Sequence, residues 1–228
     1  MTKTKYIITD IEGTTTSISF VYDVLFPYFR DNIEMLNDML DNEIVKQSIS
    51  DTQALIKHES GQNINIREAI EQIKEWSLED KKVGPLKSIQ GVLWEKGYNN
   101  GEIKGHVYDD VPIKLQEWKN NGIHLGVYSS GSVKAQKLLF GHSIFGNLNP
   151  VFSFNFDLNI GQKRESSSYR KIAETLNTKP ETILFLSDVV EELDAAKSAG
   201  LKTIQLVRSG TIACTNHTTV NSFSEIHL

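Results

Sequence analysis

Four short apolar runs punctuate the chain, and each ends against small or charged residues. They are Tyr6–Thr9 before Asp10, Leu125–Tyr128 before Ser129, Ile183–Leu186 before Ser187-Asp188, and Thr203–Val207 before Arg208. Continuous apolar runs of this length, bounded by turn-forming residues, predict strands buried on both faces of a parallel sheet. Between them, apolar positions recur at helical spacing. The pattern predicts a helix over Val111–Asn121, with Asp110 as its N-cap, Pro112 in its first turn and Gly122 at its end. Two more helices are expected over Ser168–Leu176 and Glu191–Ala199, the second closed by Gly200. Strands alternating with helices predict βαβ units and hence an α/β fold, a doubly wound parallel sheet covered on both faces. In that architecture ligands collect beyond the carboxyl ends of the strands, where Asp10, Ser129 and Asp188 fall.

The alternation breaks between Phe20 and His106. This stretch is rich in Glu, Lys, Gln, Ile and Leu, and helix-like spacing appears over Ile33–Leu40, Ile44–Ile56, Arg67–Trp76 and Leu86–Lys96. An ordinary connection has a median of about 4–6 residues, so the stretch reads as an inserted helical cap. The expected division is a core of residues 1–19 and 107–228, with the cap at 20–106.

Composition narrows the classes of function. A length of 228 residues suits one large domain or a core with an inserted lobe. The net charge of −5 argues against a nucleic-acid partner, which needs concentrated Lys and Arg, but not against a small phosphorylated ligand. Cys214 is the single cysteine, so neither an internal disulfide nor a structural zinc site is expected. The start MTKTKYIITD runs straight into a strand without the pattern of a secretion signal, and no window reaches the ~18 apolar residues of a membrane span. The chain is expected to be cytoplasmic and monomeric, with a small-molecule phosphate substrate and no membrane or nucleic-acid partner.

Asp10-Ile11-Glu12-Gly13-Thr14-Thr15 is the sharpest chemical signal. A carboxylate at a strand tip faces a mouth of backbone amides, and Gly13 permits a curl that turns a second carboxylate into the same cleft. Two acids so placed suit attack by one and proton donation by the other. The alternative is that Asp10 caps a helix and Glu12 is solvated. Ser129-Ser130-Gly131-Ser132 offers hydroxyls and amides to a phosphate at a strand-to-helix turn, or else N-caps the helix Val133–Phe140. Lys163 stands in a polar loop where a lysine is by default a surface charge, although from there it can bridge an aspartate and a phosphoryl oxygen. Asp188 can meet Asp10 at a cation, and oxygen ligands few in number suit Mg²⁺. Glu192 lies one helical turn further on, while Glu191 and Asp194 read as favourable charge in the first turn of a helix.

Electrostatics links these residues. At 4 Å and an effective dielectric of ~20, each pair of like unit charges repels by about 4 kcal/mol. A carboxylate attacking a phosphate dianion therefore needs a divalent cation and a lysine beside it.

The order Asp10…Ser129…Lys163…Asp188 resembles the four-motif signature of the haloacid-dehalogenase-like (HAD) phosphohydrolases over nearly the whole chain. The resemblance implies a HAD-like Rossmannoid core, with Asp10 as nucleophile, Glu12 as acid/base, Ser129 on the phosphate and Lys163 steadying both. It also implies Mg²⁺ held by Asp10, Asp188 and the backbone carbonyl of Glu12. Most phosphatases of that superfamily carry Asp where this chain has Glu12. The stretches DIEGTTTSISFVYDVLFPYF, GVLWEKGYNNGEIKGHVYDDVP and YSSGSVKAQKLLFGHS are similar to the enolase-phosphatases (acireductone synthases) of methionine salvage. That resemblance implies Ser129, Ser130 and Lys163 as substrate-binding residues. It implies 2,3-diketo-5-methylthiopentyl-1-phosphate as substrate, enolised and then dephosphorylated to the acireductone.

Glu12, Lys163 and His106 are candidates for the enolisation base, and His106 has a structural reading as well. Trp94 and Tyr98 suit either a pocket for the methylthio tail or the core, and Arg208 suits either the cleft or a helix end. Two other functions compete: a HAD phosphatase or phosphomutase acting on another small ester, and a non-catalytic phosphometabolite-binding protein on the same fold. Residues 211–228 give no functional reading.

Overall fold

Strand β1 (Tyr6–Thr9) begins the sequence of elements in a computed structural model that describes residues 2–228. Helices α1 (Ile18–Phe20), α2 (Phe26–Asp31), α3 (Glu43–Ser60), α4 (Ile66–Leu78) and α5 (Gly84–Asn99) follow. After them come α6 (Asp110–Asn120), β2 (His124–Tyr128), α7 (Val133–Gly141), β3 (Phe154–Phe156) and α8 (Ser166–Thr175). The last elements are β4 (Ile183–Ser187), α9 (Val190–Ser198), β5 (Lys202–Leu206) and β6 (Thr218–Val220). The chain divides into two compact units, one running to Ile18 and resuming at Lys104–Leu228, the other Ser19–Ile103.

The first unit is a six-stranded sheet in the order β3-β2-β1-β4-β5-β6, parallel throughout. It is the doubly wound α/β sheet that the alternating pattern predicts. Strand β1 lies between β2 and β4, with Thr9 opposite both Val127 and Leu186. The residues that follow these three strands therefore emerge along one edge. Chain direction reverses its outward growth between β1 and β4, which is where such sheets open a crevice. Beneath it Ile8, Tyr128, Tyr169, Ile172, Phe185 and Leu193 form a core cluster. Each such side chain contributes about 1.5–3 kcal/mol on burial, which fixes the strand ends that carry the site.

Strands β3 and β6 are not foreshadowed by apolar runs. They are three-residue strands at the two edges of the sheet, and neither is uniformly buried. A half-covered edge strand has no need of a continuous apolar run. Helix α6 begins one residue earlier than expected, and Asp110 is not its cap. Its Oδ2 instead accepts hydrogen bonds from Arg208 Nη2 (2.8 Å) and the Phe223 amide (2.6 Å).

The second unit is helical. The Asn42 side chain caps α3 by accepting from the amides of Ile44 and Val45, and Asn65 closes a capping box with Glu68 at the start of α4. Val45 and Ile49, then Ile70, Ile73 and Trp76, then Ile89 and Leu93 bury the facing stripes of three helices. The stretch Ile33–Leu40 forms a 3-10 helix over Ile33–Met39, in which Ile33 and Leu36 are both buried. Three-residue periodicity stacks positions i and i+3 on one face, and that is how these two meet the core. Tyr98 is buried, and the Trp94 indole N–H donates to the Leu25 carbonyl at 2.8 Å while its ring stacks near Phe26. No helix among the described residues is long and apolar enough to cross a membrane.

Candidate active site

The loop after β1 is a tight curl. The amides of Thr14, Thr15 and Thr16 all point at the Ile11 carbonyl, and Gly13 sits at φ 73°. That left-handed conformation favours glycine, and a second constraint forbids a side chain: a Cβ on Gly13 would lie 2.2 Å from Asp188 Oδ2. The curl thus brings the carboxylate of Asp188 against the backbone two residues before it reaches Thr15. Thr14 completes the junction. Its hydroxyl accepts from the Asp188 amide at 3.1 Å and lies 3.4 Å from Asp188 Oδ1.

Asp10 continues the sheet ladder, its amide donating to the Leu186 carbonyl, and is 4% exposed. Its Oδ1 lies 2.6 Å from Lys163 Nζ, and the same nitrogen lies 2.7 Å from Glu192 Oε2. The default surface reading of Lys163 is therefore wrong: the residue is 7% exposed and held between two carboxylates. The loop that carries it is pinned from three sides. Tyr169 donates to the Lys163 carbonyl, Ser168 to that of Gln162, and Tyr128 to that of Gly161. Gly161, at φ 143°, leaves room for the Ser168 hydroxyl, which a Cβ would meet at 2.2 Å.

Ser129 is fully buried at the end of β2, and its hydroxyl donates to Glu12 Oε2 at 3.3 Å while accepting from the Gly131 amide. Ser130 is exposed. Ser132 accepts from the Ala135 amide and N-caps α7, so the cap is not the serine that reaches Glu12. Of the expected residues, Asp10, Glu12, Ser129, Lys163 and Asp188 thus meet at one strand edge. Glu192, left undecided in the sequence, joins them through Lys163 and through the Ser187 hydroxyl at 3.0 Å. Thr14 was not anticipated, and a hydroxyl beside a required glycine was its only signal. His106 takes a local role: its Nδ1 accepts from the Ser17 amide and its carbonyl from the Thr16 hydroxyl.

The charges perturb one another. Burial first, and then the Asp10 carboxylate, raise Glu12 above the ordinary carboxyl value. The same two causes push Asp188 up to about 6 and Glu192 to about 7, with Lys163 opposing in both. Burial works against the Lys163 ammonium, yet Asp10 and Glu192 outweigh it and hold the lysine charged. A lysine so held is a poor base. His106 is lowered, chiefly by burial. Among the described residues no three His, Cys, Asp or Glu side chains converge to cage a metal. Two carboxylates, Asp10 and Asp188, close enough to act on each other electrostatically, offer instead a sparse, hard donor set. Such a set fits Mg²⁺, which keeps several waters and takes only one or two carboxylates.

Comparison with known proteins agrees with this geometry. The model of the haloacid dehalogenase-like hydrolase family matches residues 4–200. The chain is 52% identical to an Enolase-phosphatase E1 of a Picosynechococcus species over 97% of both chains. It is 43% identical to that of Aquifex aeolicus over 98% of this chain and 99% of the other. The crystal structure of the Unknown transcript 4 protein of Saccharomyces cerevisiae superposes with a TM-score of 0.82 at 33% identity, covering 98% of this chain and 100% of that one. A likeness of fold alone extends to an L-2-haloacid dehalogenase of Xanthobacter autotrophicus, with a TM-score of 0.58, 15% identity, and 97% and 96% coverage.

Proposed function

The chain belongs to the haloacid dehalogenase-like hydrolases and, within them, to the enolase-phosphatases, and from that premise we propose how its residues act on 2,3-diketo-5-methylthiopentyl-1-phosphate. The protein is a phosphatase of methionine salvage that enolises this ester and releases phosphate, leaving the acireductone. The observation that carries the assignment of residues is the placement of Lys163 Nζ 2.6 Å from Asp10 Oδ1 at the mouth of the sheet.

Asp10 is the nucleophile. Its carboxylate attacks phosphorus, the bond to the enol oxygen breaks, and an aspartyl-phosphate forms that water then hydrolyses. Lys163, kept cationic by Asp10 and Glu192, offsets the repulsion between attacking carboxylate and phosphoryl oxygens. Glu12, raised by burial and by Asp10, holds the proton that the leaving oxygen takes up, and Ser129 orients it through the 3.3 Å bond. Ser129 and Ser130 bind the phosphate. Asp10, Asp188 and the carbonyl of Glu12 would hold Mg²⁺, which when bound would supply Lewis-acid charge to the substrate oxygens. With Lys163 held charged, His106 and Glu12 in its ionised form are the better candidates for taking up the proton in enolisation.

An anaerobic assay that follows enol absorbance and released phosphate together tests the reading. Enol appearing before phosphate, both lost on adding EDTA, supports it. Phosphate released only from unrelated esters would support the generic phosphatase or phosphomutase, and no release from any ester the binding protein.

A further inference from the structure

Gln205 and Arg208 lie outside the proposed catalytic set, beyond the residues that the family model matches. Gln205 and the Arg208 side chain are both buried, and each gives one hydrogen bond to a loop of the site. Gln205, fully buried within β5, donates from Nε2 to the carbonyls of Asp188 and Ile212, each at 3.0 Å. Its Oε1 accepts from the Cys214 amide at 2.8 Å. Arg208, whose side chain is 7% exposed, donates from Nε to the Thr14 carbonyl at 3.2 Å and from Nη1 to the Asn221 carbonyl at 3.0 Å. Its Nη2 pairs with Asp110 at 2.8 Å, and its guanidinium stacks over Tyr108 at 4.2 Å from the ring centroid.

The two loops so held are the ones that Thr14 and Asp188 join to each other. Packing alone would favour an apolar residue at position 205, because a buried amide left unsatisfied costs ~1–3 kcal/mol. A polar side chain there has to be justified by what it bonds. We propose that Gln205 and Arg208 are positioning residues that tie the Thr14 and Asp188 loops to the segment 212–223, so that Asp188 presents its carboxylate in one orientation to the divalent cation. The inference rests on the reading that Asp188 helps to hold that cation, and it gives the segment after β5 a role that its sequence does not reveal. Arg208 suits the task because its planar fork addresses three acceptors at once, which the point charge of a lysine does not.

Arg208→Lys and Gln205→Met, stripped of metal, are titrated with Mg²⁺ by calorimetry in the absence of substrate. Then kcat and KM are measured at saturating Mg²⁺. The core variant Val151→Ala, in the turn before β3 and outside both loops, reports what simple destabilisation does. The expected result is Mg²⁺ affinity weakened about tenfold or more in both variants, with kcat reduced and KM for the phosphate ester near the wild-type value. Val151→Ala should melt earlier yet keep wild-type affinity and kcat. Wild-type affinity and kcat in variants that merely melt earlier would overturn the proposal and leave the two residues as structural ties. Should Arg208→Lys not fold, Gln205→Met decides by the same readout. Wild-type protein that takes up no Mg²⁺ at all would overturn the cation reading itself, a result distinct from variants that match a binding wild type.

Discussion

At the residue scale, Lys163 between Asp10 and Glu192 is a cluster of one positive and two negative charges, all nearly buried. Removing different members has opposite consequences. Asp10→Asn leaves Lys163 paired with Glu192, a neutral couple, so the fold should persist with a melting temperature equal to or above the wild type in EDTA. Phosphate release should vanish, and retained turnover would exclude an aspartyl-phosphate on Asp10. Lys163→Met instead strands two carboxylates with no cation beside them. Breaking a buried pair from one side costs ~3–5 kcal/mol, so urea unfolding should shift by that order at pH 8 and by less at pH 5, where Glu192 takes up its proton. Glu12→Asp tests the residue that departs from the superfamily pattern. Shortening the side chain withdraws its carboxyl from Ser129, and a displacement of ~1 Å can cost 10²-fold in rate. Steady-state kinetics with the diketo-phosphate should show a fall in kcat of that order; an unchanged kcat would remove Glu12 from proton transfer.

At the scale of elements, β1, β2 and β4 were legible as apolar runs because nearly their whole length is buried, and β5 by the buried end of its run. Their tips announced Asp10, Ser129 and Asp188 without further information. Lys163 entered only as a possible bridge and through the resemblance, not from a pattern of its own. A polar loop has no periodicity, and what buries this lysine is the company of Asp10 and Glu192, residues far off in sequence. Gln205 did leave a trace, a polar residue inside an apolar run, but its partners Ile212 and Cys214 lie in a segment with no pattern of its own. The β1 loop lies between these cases. Gly13 was readable as a curl, but its closeness to Asp188 requires the β1–β4 pairing. Gly13→Ala sharpens that point, since it meets both a positive φ and a Cβ 2.2 Å from Asp188 Oδ2. Strain of ~1–3 kcal/mol is expected from the backbone alone. The displaced Asp188 should weaken Mg²⁺ binding in calorimetry as well, and full Mg²⁺ affinity in this variant would show that the loops can part without harm to the cation site.

For the whole molecule, the crowded carboxyls set how stability varies with pH. Glu192 moves from its usual 4.5 to about 7 and Asp188 from 3.8 to about 6, with Glu12 raised as well. A carboxyl whose value is higher in the folded state binds its proton more tightly there, so its contribution is complete below the unfolded value. That contribution is lost as pH rises through the folded value. Without divalent cation, stability should therefore fall between about pH 4.5 and pH 7, the window bounded by the usual and raised values of Glu192. Lys163, raised and charged throughout this window, does not counter the trend. Glu192→Gln removes one of these titrations and should flatten the decline. Added Mg²⁺ acts in the other direction: it binds ionised carboxylates, so its stabilisation should grow with pH over the same window. Melting temperatures from pH 5 to pH 8, in EDTA and in excess Mg²⁺, give both slopes. Curves that run parallel with and without the cation would mean that it binds away from these carboxyls, and with it the assignment of Asp10 and Asp188 as its ligands would fall.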